Sequence, residues 1–342
     1  MHTLEQRKNK WKAFYDMSST TNTMVSVSHN AMDRPLPLSW LIEERIEWAK
    51  RCYDVKMEAL NWLDDDSIPY AFPYSGTELF AAAFGCKVRE VEDDMPFALP
   101  MINSPQEAEE LKQPSINDKP LEEMFYICDK LYEHCGKDGI LALPDIQSPF
   151  DIASLVWNKE SMFMAMFDAK DAVFELIEKS KILLFQFLDE FKKRYGEELI
   201  AHYPEYYMSK GITLSEDELG SISPAMFEEF ALPSLEETAH RYGKIGIHCC
   251  AKSKHQWDNF KKIPNMVMLN FNLISETQKE ATDVFCDHCA QMPFIMDGDI
   301  HEFVQGIDPR VHVVIQSVVA DKDDALRALE KLEKIAQRRA IK

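Results

Sequence analysis

The chain has 342 residues and a mass of 39.6 kDa, enough for two average domains or for one barrel of about 250 residues with insertions. Its 38 Lys and Arg against 58 Asp and Glu leave a net charge of −20, a field that repels a phosphate backbone and excludes a protein that tracks nucleic acid. With 46% hydrophobic and 28% charged residues, the composition is that of a chain that folds.

No run of 18 apolar residues occurs, and the first twelve residues are too polar for the apolar core of a secretory signal. We therefore expect no membrane segment and a cytoplasmic location. Eight cysteines are too sparse for a disulfide scaffold in a chain of this length. In a reducing compartment they are free thiols or metal ligands.

Residues 1–30 mix charge with Ser18-Ser19-Thr20-Thr21 and show little periodicity, so they read as a loose helical arm. Over 40–62 the apolar residues Leu41, Ile46, Ala49, Cys52 and Met57 recur at helical spacing until Asp64-Asp65-Asp66 ends the helix. The expected division is an amino-terminal helical arm, 1–60, before a main body, 61–342. A strand is predicted over 68–72, then a short helix over 77–84 stopped by Gly85. The acidic, Pro-rich stretch 90–120 reads as an insertion with a hairpin near 97–101.

After Cys135-Gly136 short apolar runs alternate with amphipathic stretches, the rhythm of a parallel sheet. Strands are predicted over 139–143, 199–203, 211–214, 244–248, 267–271, 294–296 and 311–315, making eight with 68–72. Helices are predicted over 172–195, 224–241, 276–289 and 323–338. Eight strands with intervening helices and no Gly-rich nucleotide loop predict an α/β fold, a (β/α)8 TIM barrel with an amino-terminal helical extension and an insertion near 90–120.

Such barrels place their chemistry at the carboxyl ends of the strands. Those ends are polar here: Pro144-Asp145, Ser215-Glu216-Asp217-Glu218, His248-Cys249-Cys250, Asp297-Gly298-Asp299 and Gln316-Ser317. His248 and Cys250 alternate along a strand, point the same way and suit one zinc ion, the plain alternative being that both are packed inside. Cys286-Asp287-His288-Cys289 carries a Cys-x-x-Cys pair. It falls near the end of a helix returning to the bottom of the barrel, about one strand length of ~20 Å from His248, and is expected to be structural. His202, Tyr206 and Tyr207 are candidates for a pocket wall, and Asp321, Asp323 and Asp324 for a solvated helix start.

Leu214-Ser215-Glu216-Asp217-Glu218, followed by Ile222-Ser223-Pro224-Ala225-Met226-Phe227-Glu228-Glu229-Phe230-Ala231-Leu232-Pro233, resembles the Asp-x(n)-Ser-Pro-x-x-Phe-x-x-Phe-x-x-Pro segment of the uroporphyrinogen decarboxylase superfamily. Gly246-Ile247-His248-Cys249-Cys250 resembles the His-x-Cys-Gly strand of its methyltransferase branch, and residues 78–85 and 145–155 also look like family segments. The likeness covers about residues 60–335 and implies a (β/α)8 barrel. True decarboxylases of the superfamily carry an Arg-x-x-Gly-Arg loop, whereas the first 50 residues here hold only Arg7, Arg34 and Arg45. Their late Gly-His-Gly is replaced by Ile315-Gln316-Ser317.

The resemblance is closer to the corrinoid-dependent methyltransferases, whose zinc is held by His-x-Cys plus a later Cys. It implies methyl transfer from a corrinoid carried on a partner protein, or from another methyl donor, to a small acceptor at one zinc site in the barrel mouth. His248 and Cys250 match two ligands. Gln316 stands where the third would be, so Asp217, Asp297 and Cys249 are the candidates to replace it. Asp217 and His248 are the expected catalytic residues, and Asp145 and Gln316 the expected substrate-binding ones. The alternatives are a decarboxylase of a porphyrinogen-like or other carboxylate, and a binding barrel without catalysis.

Overall fold

The structure is a computed structural model and describes residues 1–29, 41–90, 95–272, 275–295 and 299–340. Its strands, in chain order, are β1 (Thr23–His29), β2 (Lys87–Arg89), β3 (Phe97–Leu99), β4 (Leu199–Ile200), β5 (Tyr207–Met208), β6 (Ile212–Ser215), β7 (Ile245–Cys249), β8 (Met266–Phe271), β9 (Ala290–Gln291) and β10 (Val313–Val319). Six of them form one sheet in the order β1-β10-β9-β8-β7-β6, every pairing parallel. Parallel bridges from Ser215 to Gln147 and from Leu141 to Ala71 carry the ring onward, and the Asp66 N–H donates to Val25 O (2.8 Å) where it meets β1 again. With 66–71 and 140–148 as the two remaining staves, the sheet is the expected (β/α)8 barrel.

Helices cover the outside by burying one stripe each. In Lys170–Tyr195 the residues Leu176, Leu183, Leu184, Phe187, Leu188 and Phe191 recur at helical spacing, and each is at most 1% exposed. Gly85 ends its helix at φ +106°, where a Cβ would strain the backbone. The hairpin of the insertion forms as β2 and β3, paired antiparallel. Among the described residues no helix is long and apolar enough to cross a membrane.

Three strand expectations change. The stave expected over 294–296 is β9, four residues earlier: Phe294 and Ile295 are not in a strand, and Met296 lies outside the described residues. Pro293 lacks the N–H that would continue the ladder. The strand over 199–203 stops at Ile200, bridges Ala142 and turns back as β5. Within the expected arm, Thr23–His29 is a full barrel strand paired to β10 along its whole length. Val25 and Val27 alternate there with Ser26 and Ser28, a period-two pattern hidden by the polar residues.

Helix α1 (Leu4–Phe14) closes the amino-terminal end of the barrel. A capping box between Thr3 and Gln6 starts it. Trp11 Nε1 donates to Asp66 O (2.8 Å), Lys8 pairs with Glu198 (2.5 Å), and the His312 ring meets Phe14 O (2.6 Å). Asp66 opens the stave 66–71, Glu198 precedes β4 and His312 precedes β10. Helix α2 (Ile42–Ala59) ends before the acidic run, and Asp65 and Asp66 turn inward instead. Their Oδ2 atoms accept from the Val27 and Val25 N–H groups (both 2.8 Å), satisfying an edge of β1 that no ladder covers.

Candidate functional site

At the carboxyl end of the barrel, register places Ser215, His248 and Asn270 in one layer across β6, β7 and β8. His248 Nδ1 lies 2.5 Å from Asn270 Oδ1, and Asn270 Nδ2 donates to Met292 O, so the amide is oriented with its oxygen toward the ring. Nδ1 must then carry the proton, and the Nε2 lone pair is free for a ligand. The Tyr203 ring meets His248 edge to face at 5.0 Å. Below this layer a Cβ on Gly246 would come within 2.0 Å of Tyr206 Oη, so only glycine lets that buried ring fill the barrel.

Asp217 lies two residues beyond β6, on a turn built by another acid. Asp151, in the first turn of the helix Pro149–Val156, accepts from the Asp217 N–H (2.6 Å) and the Glu218 N–H (3.0 Å). Asp217 Oδ1 in turn accepts from the Cys250 N–H (2.5 Å). Ligand atoms of Asp217, His248 and Cys250 all lie within 4.8 Å of one another, and among the described residues no other group of three such side chains meets this way. Tetrahedral zinc needs donors roughly 3.3–3.8 Å apart, so a side-chain rotation of about 1 Å closes the set. An oxygen, a nitrogen and a sulfur donor around one open position fit a zinc ion of the catalytic type. Desolvation and then the Asp217 carboxylate push the exposed Cys250 thiol up to about 12.

The other sequence candidates separate clearly. Cys249 alternates to the opposite face, where its thiol meets Ser253 Oγ at 3.5 Å, and Asp297 lies outside the described residues. Cys286 and Cys289 lie at the amino-terminal side of β9, away from the mouth, with Cys286 Sγ 3.7 Å from the Arg310 guanidinium. Asp145 is buried near Asp217 and takes a hydrogen bond from Gln147 Nε2 (2.6 Å). His202 Nε2 lies 3.3 Å from Asp145 and 3.0 Å from Ser215 Oγ, and burial holds its pKa down at about 3, so it is neutral.

Buried acids crowd this end. Burial, reinforced by Glu78 and Asp217, raises the Asp145 carboxyl to about 7, and burial raises Glu78 to about 7. Asp151 is raised by burial and then by Glu216, Asp217 and Glu218, and Glu216 is raised chiefly by burial, with Asp217 and Glu218 adding to it. A carboxyl held above its unfolded value keeps a proton that the unfolded chain has lost, so the native state loses ground as pH rises through that interval. Urea stability is expected to fall between pH 4.5 and about 7 and then level off. Glu78→Gln should remove a share of that slope on the order of 3 kcal/mol. Equal slopes in variant and wild type would show that Glu78 ionises normally.

Inside the barrel is a cavity of about 420 Å³, with Arg7 and Trp11 toward its floor and Ser26 and Gln316 on its β1 and β10 wall. Asn270 and Tyr203, the two residues against His248, also line it, so it adjoins the Asp217, His248 and Cys250 group. Gln316 lines this cavity, whereas Asp145, Asp217, His248 and Cys250 are not among its lining residues.

The uroporphyrinogen decarboxylase (URO-D) family model matches residues 52–292, more than half of the chain. The chain belongs to this family. No curated protein matches it in sequence. In structure it is similar to a methyltransferase from Methanosarcina mazei, with a TM-score of 0.68 over 98% of this chain and 99% of that one, at 12% identity. That likeness shows a shared fold. The URO-D match runs from α2 to β9 and contains Asp217, His248 and Cys250. Sequence reasoning missed Asn270, although a polar residue closing the predicted strand 267–271 was a usable signal. It also missed Asp151, whose role depends on a turn 66 residues away.

Proposed function

We propose that this URO-D family member transfers a methyl group from a corrinoid, carried on a partner protein, to a small acceptor at a zinc site formed by Asp217, His248 and Cys250. The observation that carries the reading is the convergence of three donors of different chemistry at the barrel mouth, with His248 already oriented by Asn270. When bound, zinc supplies a Lewis acid that keeps an acceptor thiol in its nucleophilic thiolate form. His248 contributes Nε2, held in place because its other nitrogen is tied to β8. Asp217 and Cys250 contribute the two anionic donors, and the Asp151 carboxylate keeps the Asp217 turn from swinging away. Exposure of Cys250 puts this group at the rim, where a methyl group on a large planar carrier can approach an acceptor without the carrier entering the barrel.

The test combines elemental analysis with a spectroscopic assay. Protein expressed with ample zinc should hold about one ion per chain and should change the visible spectrum of methylcobalamin when a small thiol is added. Absence of both, together with loss of carboxylates from uroporphyrinogen in a parallel assay, would replace this reading with the decarboxylase.

A further inference from the structure

The cavity beside His248 contains a cation without a direct counter-ion. Lys56, in the last turn of α2, reaches into it with its ammonium 4.5 Å from the centroid of the Tyr70 ring. Among the described residues no carboxylate comes within 4.0 Å of that ammonium. Arg7 also lines the cavity, but its guanidinium is taken up by Asp65 and by the carbonyls of Ser67 and Leu63. Glu205 lines the same cavity and acts on Lys56 through space, but it is hydrogen-bonded with the Tyr70 hydroxyl and makes no ion pair with the ammonium. Burial correspondingly holds the Lys56 pKa down. A cation kept in such a place without a partner costs stability unless something anionic enters.

We propose that this cavity is the head-group subsite for a small acceptor bearing a carboxylate, with Lys56 as the counter-ion of that carboxylate. The proposal rests on the reading above, in which the acceptor's reactive end lies at the Asp217, His248 and Cys250 group. A volume of about 420 Å³ is at the small end of ligand pockets, which run from ~300 to 1,000 Å³. Lys56 and the His248 neighbours Asn270 and Tyr203 line this one continuous cavity, which places the cation and the approach to His248 in a shared space. Cation–π contact with Tyr70 keeps the ammonium directed while leaving its hydrogens for the ligand.

Titration calorimetry with three probes tests this: 3-mercaptopropionate, its neutral analogue 3-mercapto-1-propanol, and propionate, which has the head group but no thiol. Wild type should bind 3-mercaptopropionate at least about tenfold more tightly than the alcohol, roughly the worth of one charge-assisted contact. Propionate should compete with it. Lys56→Gln should abolish the preference while the alcohol binds as before, and Lys56→Arg should keep part of it. No preference in wild type, or a preference surviving in Lys56→Gln, overturns the proposal. Should the variant fold poorly, the wild-type comparison alone decides. Zinc analysis of each sample separates the two readings. Lys56-dependent propionate binding in protein without zinc would leave the subsite standing and remove the metal, whereas zinc with no carboxylate preference would do the reverse.

Discussion

His248→Ala is expected to reduce zinc from about one ion per chain to a trace and to slow methyl transfer by roughly a hundredfold or more, and Cys250→Ala should do the same. Among the described residues three donors meet within 4.8 Å, so losing any one leaves two, too few for a stable site. Asp217→Ala should match them, because its carboxylate is the proposed oxygen donor and also accepts from the Cys250 N–H. Asn270→Leu touches no ligand atom of the ion. It frees the His248 ring, so a loss of about 10–100-fold in zinc affinity is expected with stoichiometry restored at high zinc. The contrasting variant is Cys286→Ser with Cys289→Ser, on the amino-terminal side of β9, which should keep its zinc. Elemental analysis and competition with a chromogenic chelator read all five. Zinc retained by His248→Ala, or lost from the double cysteine variant, would move the metal to the other cluster.

Arg7→Met is expected to cost roughly 3–5 kcal/mol of stability, a large part of what a domain has in reserve. Arg7 is 2% exposed and the Asp65 side chain 0%, with Arg7 Nη1 2.8 Å from Asp65 Oδ1. The same guanidinium takes the carbonyls of Leu63 (2.5 Å) and Ser67 (3.0 Å). Burial still leaves the Asp65 carboxyl above its ordinary value despite this partner, so the pair is not strongly favourable in itself. The large cost comes from stranding Asp65 when Arg7 is removed. Asp65 cannot simply turn to solvent, since its other oxygen accepts from the Val27 N–H and so helps hold β1 at its free edge. Arg7→Met with Asp65→Asn should therefore lose clearly less than the two single changes added together. Urea unfolding of the three proteins gives the answer, and a single variant within about 1 kcal/mol of wild type would mean that α1 is not a structural floor of the barrel.

The barrel was legible because its period is local. Short apolar runs, helical stripes and the alternation of His248 with Cys250 are each written within a few consecutive residues, and backbone geometry converts them into one face or the other. Strand β1 shows where this stops. Its alternation of Val25 and Val27 with Ser26 and Ser28 was present, but Thr23 pairs with Val313, and only that distant partner makes a polar heptamer a stave. Asp65 and Asp66 likewise read as a helix-ending acidic run until the free N–H groups of β1 are brought to them.

At the candidate site, His248 and Cys250 could be paired by strand period alone, while Asp217 stood equal with Asp297 and Cys249. Tertiary structure distinguishes Asp217 from Cys249: the strand pleat turns Cys249 to the far face, and Asp151 bends the chain after β6 so that Asp217 meets Cys250. Lys56 had no signal at all, being one of many helix-surface lysines by pattern. What the sequence by itself determined was every feature set by neighbours a few residues apart. The carboxylate beside the His-x-Cys pair, the β1 edge and the charge in the cavity depend on contacts across 14 to 290 residues, from Lys56 with Tyr70 to Thr23 with Val313, and those exist only once the ring closes.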